Sequence, residues 1–165
     1  MRTITTCCRA YARRFGFLAA AAAFVLLAGS SSAFAQNVGL GGVVGISGGP
    51  NQFYVGGNYT TPAIAGWVQA RPNVEVGFGE SQTLLAVNFD FIHNQKMKNH
   101  PASVYFGAGP SFNTSFTTGN STTGAGFDVL VGASSGHFFG EVKLGVGNSP
   151  TLKAGIGYSF GKRLP

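Results

Sequence analysis

Beyond residue 35 this chain contains no cysteine, since Cys7 and Cys8 both precede that point. Disulfides, thiolate metal sites and cysteine nucleophiles are therefore excluded together from the remaining 130 residues. The same stretch lacks any apolar run long enough for a membrane helix, and no segment keeps apolar residues at helical spacing. Charge is scarce as well, at 10% of the chain. Four of the 11 Lys and Arg residues fall in the first 35 positions, leaving seven basic and five acidic residues, a net of +2. The overall basicity is therefore no nucleic-acid footprint, which needs Lys and Arg clustered on the folded part.

The first 35 residues read as a secretory signal peptide. Arg2, Arg9, Arg13 and Arg14 form a basic start, and residues 15–27 an apolar run of 13, too short for a stop-transfer helix. Ala33-Phe34-Ala35 fits the small-x-small cleavage rule, so the mature chain is expected to begin at Gln36. Leu27-Ala28-Gly29-Ser30 resembles a lipoprotein cleavage box. Ser30 stands where the acylated cysteine would be required, which excludes lipid anchoring there.

What the mature chain does have is glycine, 24 residues of it, and alternation. Leu152, Ala154, Ile156, Tyr158 and Phe160 share one face of a period-two segment, with Lys153, Gly155, Gly157 and Ser159 on the other. Glycine recurring opposite the apolar face lets a narrow barrel fill and bend. Eight segments read this way, between turn signals: residues 53–59, 64–71, 74–78, 85–91, 104–116, 125–133, 138–146 and 152–160. Arg71-Pro72-Asn73 reads as a tight turn and Pro110 as a candidate bulge. Residues 93–101 and 117–123 read as loops. Residues 36–52 read as a glycine-rich N-terminal extension or ragged strand, 53–161 as the barrel, and 162–165 as a tail. The fold class expected is all-β, an eight-stranded antiparallel up-and-down transmembrane β-barrel. It should close by pairing the strand from Phe53 with the strand ending at Phe160.

The signal peptide, the repeated two-period segments and the last hairpin carry a resemblance. Phe139-Gly140-Glu141-Val142-Lys143-Leu144-Gly145 followed by Leu152 through Phe160 resembles the end of small outer-membrane β-barrels of Gram-negative bacteria, the porin-like and OmpA/OmpX-type superfamily. The resemblance implies cell outer-membrane localisation, contact with membrane lipid, and recognition of the C-terminal strand by the outer-membrane assembly machinery. In that family an aromatic residue closes the chain; here five residues follow Phe160.

On this register no charged residue falls on an apolar face. Arg71, Glu75, Asp90, Asp128, Glu141, Lys143 and Lys153 all face the other way, four acids and three bases. A lumen eight strands wide is just filled by side chains, so mixed signs there read as a paired polar network, with a narrow selective channel as the sharper alternative. The same segregation fits a soluble, secreted or periplasmic β-sandwich binding a partner. A lipid-modifying barrel enzyme is the third reading. Its sole candidate constellation is Ser135 and His137 with Asp128, far short of a triad, and no enzymatic activity is expected. His93 and His100 flank a polar stretch with Lys96 and Lys98. They lack the further ligands a metal needs, and the lysines suit either solvent or anionic headgroups. Gly39-Leu40-Gly41 and Gly77-Phe78-Gly79 open no helix and cradle no nucleotide. No cofactor, metal or nucleic-acid partner is expected.

Overall fold

Alternating segments joined by short turns pair with their neighbours in sequence, and here they do so until the sheet meets itself. The computed structural model describes residues 36–98 and 100–164. The signal peptide expected at 1–35 lies outside the described residues. The described residues form ten strands: β1 (Gln36–Gly48), β2 (Gln52–Thr60), β3 (Ala63–Ala65), β4 (Val68–Phe78), β5 (Thr83–Lys96), β6 (Ala102–Thr117), β7 (Asn120–Ser135), β8 (Phe138–Gly147), β9 (Leu152–Ser159) and β10 (Lys162–Leu164). All pairings are antiparallel, in the order β1-β2-β4-β5-β6-β7-β8-β9, and β1 pairs again with β9. These eight strands are the staves of a closed up-and-down barrel. A single closed sheet also rules out the two-sheet sandwich.

The staves are not quite the expected eight. Of the two readings of residues 36–52 the strand holds and the extension does not: residues 36–48 form β1, which lies between β2 and β9, with Val44 opposite both Val55 and Ile156. The strand from Phe53 therefore never meets the strand ending at Phe160. Glycine hid this stave, because Gly42 faces outward and Val43 inward, inverting the local alternation. In compensation, residues 64–71 and 74–78 do not form two strands. β4 runs straight through Arg71-Pro72-Asn73, opposite Asp90, Phe89 and Asn88 of β5. The ladder to β2 ends at Asn73, so Pro72 withholds no N–H from it.

Pro110 makes no bulge either. Ser111 opposite Asn88 and Ala108 opposite Phe91 keep one register, with only the rungs at Phe89 and Asp90 missing. The expected loops are shorter than read. β5 continues to Lys96, and β6 and β7 pair up to Thr117 opposite Asn120. Threonine suits a strand, and Thr114 and Thr123 share a 3.0 Å cross-strand hydroxyl contact. Gly119, at φ 80°, makes the tip. Of the tail expected at 162–165, residues 162–164 form β10, which pairs with Gln36–Val38 in the register of β9.

Sidedness follows the alternation. Phe89, Leu144 and Ile156 are exposed on the outer wall and Val129 half-buried there, whereas Asn88, Asp128 and Lys143 are buried inside and Gly155 lines the lumen. Turns 49–51, 79–82, 118–119 and 148–151 lie at one end of the barrel. Residues 61–67, 97–98, 100–101 and 136–137 lie at the other, with the start of β1 and the end of β10.

Candidate functional site

The lumen is where the chain gathers its charge. Even-numbered positions of β5 and β7, and odd-numbered positions of β4, β6, β8 and β9, point inward. That parity delivers Arg71 and Glu75 from β4, Asp90 from β5, Asp128 from β7, Glu141 and Lys143 from β8, and Lys153 from β9. Every one of these side chains is at most 5% exposed.

They form one connected network. The Arg71 guanidinium donates to Glu141 at 2.6 Å and reaches Asp90 at 3.5 Å. It also lies 5.3 Å from the ring centroid of Tyr105, whose hydroxyl donates to Glu141 at 3.0 Å. Lys143 Nζ sits among three carboxylates, 3.0 Å from Asp90, 3.2 Å from Glu75 and 3.7 Å from Glu141. Lys153 bridges Glu75 at 2.9 Å and Asp128 at 3.5 Å. Around the ions, Asn73 donates to Asp90 at 2.8 Å and Asn88 donates to Asn73. The Ser149 hydroxyl donates to Asp128 from the β8–β9 turn, which folds Ser149 and Pro150 into the mouth of the barrel. Buried charges of this kind persist only when each faces an opposite partner, and here each does.

Packing completes the lumen. Towards the end that carries the termini, Ile92, Tyr105 and Leu130 form an apolar layer with Phe139 against it. Inward glycines are the sockets for large neighbours. A Cβ on Gly132 would collide with the Tyr105 ring, and one on Gly155 with the Tyr54 hydroxyl. The cavities beside the network are small. One of about 40 Å³ touches Asn58, Arg71 and Tyr105, and one of about 10 Å³ touches Tyr54, Glu75 and Lys153. These hold about one to three waters, not a solute. A larger concavity, about 580 Å³, lies along the wall between Val44, Val55, Phe138, Ile156 and Tyr158, where Gly42 leaves a gap.

The other sequence candidates are not brought together. Asp128 is inside the lumen, whereas Ser135 is exposed at the end of β7, opposite Phe138. His137 Nδ1 lies 2.8 Å from the Ser159 carbonyl oxygen, with its ring stacked on Tyr158. His93 packs between Trp67 and Phe106, at centroid distances of 5.2 and 5.1 Å, while His100 is exposed. Among the described residues no group of three His, Cys, Asp or Glu side chains could hold a metal.

Sequence reasoning gave no part in the network to four participants: Asn73, Asn88, Tyr105 and Ser149. Asn88 and Tyr105 were readable as inward from their parity. Asn73 and Ser149 were not, because each sits in a segment that reads as a turn.

No family model matches the chain, and no curated protein matches it. Two solved structures are similar. One is the crystal structure of neisserial surface protein A (NspA), with TM-score 0.52 at 13% identity, over 73% of this chain and 94% of that one. The other is the N-terminal β-barrel domain of Pseudomonas aeruginosa OprF, with TM-score 0.45 at 12% identity, over 74% and 96%. At such identity the likeness to NspA is one of fold, and this chain is built as the same kind of closed antiparallel barrel.

Proposed function

We propose that this chain is an outer-membrane β-barrel protein whose lumen is a sealed polar core, so that its role is structural or surface-binding rather than conducting. One observation carries the reading: the barrel is inside-out. Seven charges face inward while Leu40, Ile46, Phe138, Ile156 and Phe160 stand on the wall at 65–71% exposure. A continuous apolar wall of this kind would drive aggregation in water, whereas hydrocarbon solvates it. Ring closure satisfies the backbone in lipid, where an open edge would cost several kcal/mol per unpaired group. Export through residues 1–35, contact with membrane lipid, and recognition of the C-terminal strand by the outer-membrane assembly machinery belong to the same proposal.

Two measurements test it. The mature protein should stay with membranes on fractionation and give a band whose gel mobility shifts on boiling; a freely soluble band would reject the membrane barrel. Planar bilayers containing the purified protein should be electrically silent. Steady single-channel currents altered by Lys143→Glu would replace the sealed core with a narrow channel.

A further inference from the structure

Not every polar atom of the lumen has a partner. Five buried side-chain oxygens of the described residues accept no hydrogen bond from the protein: Gln52 Oε1, Asn88 Oδ1, Asp90 Oδ1, Asn113 Oδ1 and Asp128 Oδ2. Four of the five come from the adjacent strands β5, β6 and β7. Asn88, Asp90 and Asp128 are fully buried. Asn73 on β4 fixes the orientation of two of them. Its amide nitrogen donates to Asp90 Oδ2, so its oxygen is the acceptor for Asn88 Nδ2. Asn88 Oδ1 and Asp90 Oδ1 are therefore the atoms turned away from β4, towards β6 and β7. Asp128 gives Oδ1 to Ser149, and its Oδ2 has only Lys153, at 3.5 Å.

Gly109 of β6 stands between the two carboxylates. It is opposite Asp128 in the ladder to β7, and a Cβ on it would press on the Asp90 backbone and strike the Phe89 carbonyl oxygen. Odd-numbered positions of β6 point inward, so the Phe89 carbonyl is tilted into the lumen there. Pro110 is the reason. The register sets Phe89 opposite Pro110, which has no N–H to hold that carbonyl in the plane of the sheet, and the rungs at Phe89 and Asp90 are the ones the ladder omits. Asp90 and Asp128 are near enough to repel each other.

Charge and oxygen chemistry point the same way. The lumen holds four carboxylates and three cations, all buried, an excess of one negative charge. Water would satisfy the oxygens and leave that charge in place. Two carboxylates, an amide oxygen and a backbone carbonyl, with no nitrogen or sulfur among them, suit a hard cation. One positive charge completes the balance, so the ion is monovalent.

We infer that Asp90 Oδ1, Asp128 Oδ2, Asn88 Oδ1 and the Phe89 carbonyl oxygen form a site for one monovalent metal cation, of the sodium kind, inside the barrel. The inference rests on the reading of the lumen as a sealed polar core and goes beyond it by giving that core a ligand.

The test is urea titration of the mature protein in phosphatidylcholine vesicles, followed by the heat-shift gel. It is run in sodium chloride and in N-methylglucamine chloride at equal ionic strength, the second cation being too large for the network. The folding equilibrium constant should be about ten-fold larger in sodium once sodium reaches about ten times its dissociation constant. Asp128→Asn keeps an acceptor for Ser149 and brings the lumen to three acids against three bases, so the sodium response should disappear. Pro110→Ala returns a donor to the Phe89 carbonyl and alters no charge. It should weaken the response several-fold, and it serves if Asp128→Asn does not fold. Glu80→Gln, outside the lumen, should leave the response unchanged. Shifted bands with equal midpoints in the two salts would mean that water alone meets these oxygens, and would overturn the site alone. A sodium response that survives both Asp128→Asn and Pro110→Ala would do the same. Steady bilayer currents would overturn the sealed core, and a band that shifts in neither salt the membrane barrel, each taking the site with it.

Discussion

Lys143 is the ion on which the lumen turns, and removing it is the sharpest perturbation of the network. Lys143→Met keeps much of the side-chain length and deletes the charge. Three carboxylates then lose a partner, but unequally. Glu75 keeps Lys153 at 2.9 Å and Glu141 keeps Arg71 at 2.6 Å. Asp90 keeps only the longer 3.5 Å contact to Arg71 and the amide of Asn73. The balance inside moves from four acids against three bases to four against two. Leaving a buried charge without its partner costs about 3–5 kcal/mol, a large share of the 5–15 kcal/mol that holds a domain together. Because two of the three carboxylates remain paired, the lower part of that range, about 3 kcal/mol, is expected. Urea titration of the protein in phospholipid vesicles, followed by the heat-shift gel, measures it. The double variant K143M/D90N removes one charge of each sign and should recover at least half of the loss, a coupling readable from the full cycle. A loss below about 1 kcal/mol for Lys143→Met, or no recovery in the double variant, would refute the account of the lumen as a charge-balanced core.

Three further outcomes are expected. Leu144→Arg, on the outer wall at a site 57% exposed, should cost about 2–4 kcal/mol in vesicles if the residue meets the bilayer interior, and unaltered stability there would mean that the wall faces water. Gly132→Ala should destabilise the barrel by about 1–3 kcal/mol through collision with the Tyr105 ring, and Tyr105→Ala in the same chain should relieve much of it when the two are compared by urea titration. Deleting residues 36–48 should abolish the heat-shifted band, because β1 pairs with both β2 and β9; a truncated protein that still shifts would return that segment to the status of an extension.

Read alone, the sequence determined sidedness. A strand allows two faces, so parity from any clear segment carries through it. Leu152 to Phe160, Leu85 to Phe91 and Ala125 to Ala133 each had only one register that kept charge off the apolar face. That was enough to turn Arg71, Glu75, Asp90, Asp128, Glu141, Lys143 and Lys153 inward. It was also enough to read an eight-stranded barrel from the repeat of such segments. Where parity was blurred, the reading failed for identifiable reasons. Gly42 beside Val43 concealed β1, and Pro72 looked like a turn because its missing N–H matters only on the side where no stave pairs with it.

Tertiary structure alone decided the neighbours. Arg71 and Glu141 are 70 positions apart in the chain, and Lys153 and Glu75 are 78 apart. Their meeting depends on which staves close the ring and by how much each is staggered against the next. Those quantities are set by the sum of all the pairings round the barrel, and no local pattern contains it. The pairing of charge inside the barrel is therefore a property of the closed ring, although every charge in it is visible in the chain.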